Sequence, residues 1–129
     1  MKVRNGLLAA IVVLVAGASA PSHAAVEIVA GPGSYLQTYT TAAVVWARTQ
    51  PLMFVNADIQ GHDVVSDETR APGSAPWCPA GGPRCPLFYA PQVSLGGITT
   101  VVGLEDVPTG VHLFRCTPHS WMEAYLVVV

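Results

Sequence analysis

The chain has 129 residues, of which 51% are hydrophobic and 11% are charged. From residue 25 onward four arginines stand against eight acids, which gives a formal charge of −4 and leaves no lysine. A chain with this charge balance has too few basic residues to form the clustered basic surface typical of nucleic-acid-binding proteins. We therefore expect no nucleic-acid partner.

Residues 1–24 have the pattern of a cleavable signal peptide. Two basic residues precede a largely apolar run of 12 residues over 7–18, and the small-residue pattern Ser22-His23-Ala24 follows. Cleavage before Ala25 is preferred, and cleavage after Ala20 is the alternative. The run is shorter than the roughly 20 residues needed to span a bilayer. We therefore expect export to the periplasm, the cell envelope or the exterior, without stable membrane insertion.

Residues 25–129 predict one all-β domain that is large enough to bury a core. Short runs rich in Val, Ile, Thr and aromatic residues alternate with Gly and Pro turns, which is typical of a β-sandwich or barrel. The predicted strands are 26–30, 42–48, 51–57, 62–66, 98–102, 110–116 and 123–129.

The segment 67–97 is the least strand-like part of this domain. It contains six prolines, and we expect a long ordered excursion here. Cys78 and Cys85 bracket a Pro/Gly-rich loop, and a disulfide between them would constrain the unfolded chain by about 2.5 kcal/mol. Exported proteins reach oxidising compartments, where disulfides form and persist, so we expect this pair to form a bridge and not to bind a metal. Cys116 then remains unpaired, and a metal-bound thiolate is less of a liability than an exposed free thiol.

The predicted strand 110–116 leads into a loop that carries three potential metal ligands. Cys116, His119 and Met122 follow one another at a spacing of three residues. His62, the first residue of the predicted strand 62–66, could complete the set. Two His, one Cys and a weak axial Met are the ligands of a type 1 blue-copper electron-transfer site. The sequence therefore predicts one copper ion per chain.

These motifs resemble the plastocyanin/azurin family of cupredoxins. Cys116-x-x-His119-x-x-Met122, preceded by Pro108-Thr-Gly-Val-His-Leu-Phe114, is similar to the family's C-terminal ligand loop, and its spacing is most similar to the short loop of amicyanin. Phe54-Val-Asn-Ala-Asp58, followed by His62, resembles the family's upstream strand and first ligand. The resemblance covers most of residues 50–129 and implies an eight-stranded Greek-key sandwich.

The resemblance also implies a role for each site residue. His62, Cys116 and His119 would be the equatorial ligands, and Met122 the axial one. His119 would reach the surface as the electron exit. Trp121 would belong to the apolar patch around that exit, where redox partners dock.

Three further residues are expected next to the ligands. Asn56 is expected to make structural hydrogen bonds near the metal, and Thr117 directly follows Cys116. Many family members have Asn directly after the first ligand His, where it helps to tie the two ligand loops together, whereas this chain has Asp63. A carboxylate close to the thiolate would lower the reduction potential unless it points into solvent.

We therefore predict a monomeric electron carrier between a donor and an acceptor protein, not an enzyme. A multicopper oxidase or copper nitrite reductase needs histidines near the cysteine, but Arg115 and Thr117 flank Cys116. The alternative is a copper chaperone or storage protein without a redox role. Such proteins commonly use Met clusters, and only Met53 and Met122 follow residue 25. Zinc is a third possibility, but Met is a poor zinc ligand.

Overall fold

Ten β-strands make up most of the regular structure of residues 24–129, the part of the chain that this computed structural model describes. In chain order they are β1 (Val26–Ala30), β2 (Ala43–Trp46), β3 (Leu52–Asn56), β4 (His62–Ser66), β5 (Thr69–Arg70), β6 (Cys85–Pro86), β7 (Tyr89–Val93), β8 (Ile98–Thr100), β9 (Gly110–Arg115) and β10 (Glu123–Val128). Two 3₁₀ turns, Ser34–Leu36 and Leu104–Asp106, lie in connections. The predicted signal peptide lies outside the described residues, except for its last residue.

Eight of the strands form two main sheets. One has the order β1-β3-β8 and the other the order β2-β10-β9-β4-β7, while β5 and β6 form a small separate ribbon. β1 pairs with β3, and β2 with β10, in parallel, whereas the other pairs are antiparallel. The predicted all-β Greek-key sandwich is thereby confirmed. Within residues 24–129 no helix has the length and apolar character that crossing a membrane requires.

Side chains from both sheets share one apolar core. Burial alternates along β3 and β10 with the period of two that a half-buried strand requires. The rings of Phe54, Phe88 and Phe114 are fully buried. Tyr39 packs edge-on against Phe114 and Phe54, with ring centroids 5.0 and 6.4 Å apart. Burial of each such side chain contributes about 1.5–3 kcal/mol, and this cluster fixes how the two sheets meet.

The excursion 67–97 contains three strands that the sequence did not predict, β5, β6 and β7. β7 pairs with β4 at the edge of the five-stranded sheet. Pro91 lies within β7, and an edge strand tolerates proline because one of its sides has no strand partner. The predicted disulfide between Cys78 and Cys85 is confirmed, with a Cα–Cα distance of 5.9 Å. Trp77, directly before the bridged loop, packs on Tyr89 with ring centroids 5.1 Å apart.

Strand pairing brings the two predicted ligand regions to the same end of the sandwich. β4 begins at His62, and β9 ends at Arg115, directly before Cys116. β4 and β9 are antiparallel neighbours, so the start of one lies beside the end of the other. β9 and β10 form a hairpin whose connection is 116–122.

Candidate metal centre

The first predicted ligand is held by a turn that follows β3. The side-chain amide of Asn56, the last residue of β3, donates to the carbonyls of Gln60 and Val93 at 2.7 and 2.8 Å. Its side-chain oxygen accepts a hydrogen bond from the Asp58 N–H at 2.9 Å. These hydrogen bonds of the Asn56 side chain hold the β3–β4 turn together from its inner side. His62 follows that turn and is fully buried.

The other predicted ligands lie on the tight connection between β9 and β10. The Cys116 N–H donates to the Met122 carbonyl at 3.2 Å, and the Met122 N–H donates to the His119 carbonyl at 2.8 Å. Cys116 and Met122 are buried, whereas His119 is half-buried. The three-residue spacing read from the sequence thus corresponds to a loop that is closed by its own backbone.

The donor atoms of both regions converge. Cys116 Sγ lies 3.5 Å from His62 Nδ1 and 3.7 Å from His119 Nδ1, and all three donor atoms lie within 4.8 Å of one another. Bonds of about 2.0 Å to nitrogen and about 2.3 Å to sulfur, at angles of about 110–120°, separate such donors by roughly 3.5–3.7 Å. The arrangement therefore fits one metal ion at its centre. Met122 is fully buried on the same loop, and its axial role stays a prediction.

A buried carboxylate, which the sequence analysis did not single out, fixes the orientation of His62. Asp58 Oδ2 lies 2.8 Å from His62 Nε2. With the imidazole proton on Nε2, the Nδ1 lone pair faces Cys116, and a carboxylate in this position also makes the imidazole a better metal ligand. The sequence held a sign of this contact, because the acidic residue Asp58 precedes the candidate ligand His62 by four residues.

The same carboxylate accepts three backbone N–H groups. Gly33 and Ile59 donate to Oδ1 at 3.0 and 2.9 Å, and Tyr35 donates to Oδ2 at 3.1 Å. Burial acts to raise the pKa of Asp58, but the hydrogen bond from His62 and these backbone donors outweigh it and lower the pKa to about 2. Asp58 is therefore charged at neutral pH.

The Cys116 thiol has the opposite shift. Burial raises its pKa to about 11, and the nearby charge of Asp63 adds to this effect, although hydrogen bonds involving Asp63 and His119 partly oppose it. Without a metal the sulfur is therefore protonated at neutral pH. A bound metal ion reverses this preference, since coordination deprotonates a thiol.

Asp63 ties the two ligand regions together. Its carboxylate is mostly buried, and Oδ1 accepts a hydrogen bond from the Thr117 N–H at 2.6 Å. The carboxylate thus points at the residue after Cys116 and not into solvent. It makes the kind of link expected of the family's Asn at this position, but it brings a carboxylate close to the candidate thiolate.

An exposed aromatic residue covers the most accessible of the candidate ligands. The Trp121 ring is 57% exposed and meets the His119 ring edge-on at a centroid distance of 5.4 Å. The indole N–H donates to the Tyr35 carbonyl at 3.0 Å. His119 therefore has an aromatic neighbour that reaches solvent.

Solved structures resemble this chain in fold at low sequence identity. No protein-family model matches it, and no curated protein is significantly similar. A purple cupredoxin from Nitrosopumilus maritimus matches with a TM-score of 0.59 at 18% identity, over 81% of this chain and 99% of that one. Amicyanin from Paracoccus versutus matches with a TM-score of 0.52 at 17% identity, over 81% of each chain. At such identities the likeness shows the fold alone, which is that of the cupredoxins.

Proposed function

We propose that this protein is a type 1 blue copper protein that carries single electrons between redox partners. Its ligands are His62 Nδ1, Cys116 Sγ and His119 Nδ1, with Met122 as the weak axial ligand. The observation that carries the proposal is the convergence of two imidazole nitrogens on one thiol sulfur, at 3.5 and 3.7 Å. The cupredoxin fold supports the same conclusion.

The donor set matches the demands of one-electron transfer. Copper, when bound, supplies a Cu(I)/Cu(II) couple. Imidazole suits both oxidation states, and the two sulfur donors favour Cu(I). The hydrogen bonds of Asn56, Asp58 and Asp63 restrict the movement of the two ligand regions, and this restriction limits the rearrangement that accompanies a change of oxidation state.

Electrons leave through the half-buried ligand in this proposal. Cys116 and His62 are buried, whereas the His119 ring lies under the exposed Trp121. A donor or acceptor protein that docks on Trp121 approaches His119 more closely than it approaches the other equatorial ligands. We therefore assign His119 as the electron exit and Trp121 as part of the docking patch.

We also propose that the protein works outside the cytoplasm as a monomer with one copper ion. The signal-peptide pattern of residues 1–24 supports export. The disulfide between Cys78 and Cys85 supports an oxidising compartment, since such bridges persist in periplasmic and extracellular proteins.

The test is the colour and the metal content of the copper-loaded protein. We expect one copper ion per chain, an intense blue colour from thiolate-to-Cu(II) charge transfer, and loss of that colour in Cys116→Ser. The double variant Cys78→Ser/Cys85→Ser is the control and is expected to stay blue. A colourless wild-type protein, or a blue Cys116→Ser variant, would contradict the proposal.

Electrochemistry separates the electron carrier from its rivals. A carrier gives a reversible one-electron wave and keeps its copper in the presence of a copper-free acceptor. Rapid copper transfer to such an acceptor without a reversible wave would instead indicate a chaperone or storage protein. Two copper ions per chain would indicate an enzyme.

A further inference from the structure

The segment 31–40, which makes up most of the connection from β1 to β2, touches both regions that carry the proposed ligands. It is a tight turn in which the Ser34 N–H donates to the Gly31 carbonyl and the Leu36 N–H donates to the Gly33 carbonyl, each at 3.0 Å. Gly33 has a φ of 82°, a conformation that glycine adopts at little cost. The segment supplies none of the proposed ligands.

On one side the segment holds the surroundings of His62. The backbone N–H groups of Gly33 and Tyr35 donate to the two oxygens of Asp58 at 3.0 and 3.1 Å, and Asp58 in turn holds the His62 ring. The buried Tyr39 hydroxyl donates to the carbonyl of Asp63 at 2.6 Å. Asp63 is the residue that directly follows His62.

On the other side the segment holds the loop 116–122 and the first residue of β10. The Tyr35 carbonyl accepts the indole N–H of Trp121 at 3.0 Å. The Thr38 hydroxyl donates to the carbonyl of Glu123 at 2.6 Å. Trp121 and Glu123 flank Met122, so two of the anchors lie next to the proposed axial ligand.

We propose that segment 31–40 is a brace that positions the metal ligands, with Thr38 and Tyr39 as positioning residues. It is bonded independently to the two ligand regions, and it therefore keeps His62 opposite the loop 116–122 before a metal ion binds. Supporting shells of this kind hold ligands in a productive geometry. The role of the brace in positioning metal ligands rests on the proposed function, whereas the structural test of the brace does not.

The structural test is amide hydrogen exchange in the metal-free protein, purified after export. Tyr39→Phe removes one hydroxyl, and Tyr125→Phe is the control because the Tyr125 ring lies on the exposed face of β10. The Thr117 N–H, which donates to Asp63, is the local probe, and the Val101 N–H, which donates to the Leu52 carbonyl, reports on the core. The loss of one ordinary hydrogen bond corresponds to about a fivefold change in an opening equilibrium.

We expect Tyr39→Phe to accelerate exchange at Thr117 about fivefold, and Tyr125→Phe to leave that rate unchanged. An unchanged rate at Thr117 with acceleration at Val101 alone would mean that the hydroxyl acts only on global stability, and it would overturn the proposal. Thr38→Val is the second variant, with the exposed Thr41→Val as its control. It is expected to accelerate exchange of the Met122 N–H roughly two- to fivefold, and an unchanged rate would also overturn the proposal.

A second readout uses the copper-loaded protein. The relative intensity of the thiolate-to-Cu(II) bands and the electron paramagnetic hyperfine splitting depend on ligand placement. We expect Tyr39→Phe to shift both and Tyr125→Phe to leave both unchanged, and identical spectra would exclude a positioning role. If the wild-type protein binds no copper, the proposed function fails, but the exchange rates of the metal-free protein still decide whether the brace exists.

Discussion

Asp58→Asn offers the sharpest test of how this site is prepared for a metal ion. In the variant an NH₂ group replaces one carboxylate oxygen. If the remaining oxygen keeps the N–H groups of Gly33 and Ile59, the NH₂ group takes the place of Oδ2. It then loses the hydrogen bond from the Tyr35 N–H and faces His62 Nε2. An amide NH₂ only donates, so His62 must accept at Nε2 and carry its proton on Nδ1. That proton then occupies the position through which the imidazole would bind the metal.

The expected cost is a 10- to 100-fold loss of metal affinity, the usual effect of removing the partner of a ligand histidine. This range corresponds to about 1.4–2.8 kcal/mol. Titration of the metal-free protein with Zn(II) and Cu(II) measures the affinity, and ¹⁵N NMR of the imidazoles reports which nitrogen of His62 carries the proton. Glu27→Gln is the matched control, because Glu27 forms no ion pair among residues 24–129. An affinity within twofold of wild type, or a proton that stays on Nε2, would refute the reasoning.

Three further outcomes follow from the geometry. The Cys116 thiol, with its pKa of about 11, is expected to react very slowly with a thiol reagent at pH 8 while the metal-free protein is folded and quickly once it is unfolded; rapid labelling of the folded form would contradict its burial. The lowered pKa of Asp58 means that its stabilising contribution is present above its ordinary pKa of 3.8 and is lost as the pH falls through about 2. The gap in urea midpoint between the wild-type protein and Asp58→Asn is therefore expected to close between pH 4 and pH 2, and a constant gap would rule this out. Cys78→Ser/Cys85→Ser is expected to lower the free energy of unfolding by about 2–3 kcal/mol in urea titrations, whereas an unchanged midpoint would show that the bridge adds no stability.

The part of the site that the sequence predicted best is the part that is local in sequence. Cys116, His119 and Met122 lie on one short loop, so their spacing alone limits where they can point. That His62 meets this loop depends on the pairing of β4 with β9, which no local pattern encodes. The resemblance to a known ligand pattern supplied that long-range information.

The features that the sequence did not predict have physical reasons. β7 contains Pro91 in a segment rich in turn residues, and only its place at a sheet edge makes such a strand possible. β1 pairs with β3, and β2 with β10, in parallel. These strands are distant in sequence, and the local composition of a strand does not indicate which other strand it pairs with. Three of the five bonds that the brace makes to the ligand regions use its backbone N–H or carbonyl groups. Nearly every residue has these groups, so side-chain type gives little sign of such bonds.

The pairing of β2 with β10, in which Ala43 lies opposite Tyr125, has a consequence for how the chain matures. Contacts this far apart form late, and topologies rich in them fold over milliseconds to seconds. During that interval three sulfhydryls compete for oxidation. Cys78 and Cys85 are separated by 7 positions, whereas Cys116 lies 31 positions beyond Cys85, and loop-closure entropy favours the shorter ring by about tenfold. The close spacing of the first two cysteines therefore favours their mutual pairing over a bridge to Cys116, whose sulfur is free and buried in the folded chain.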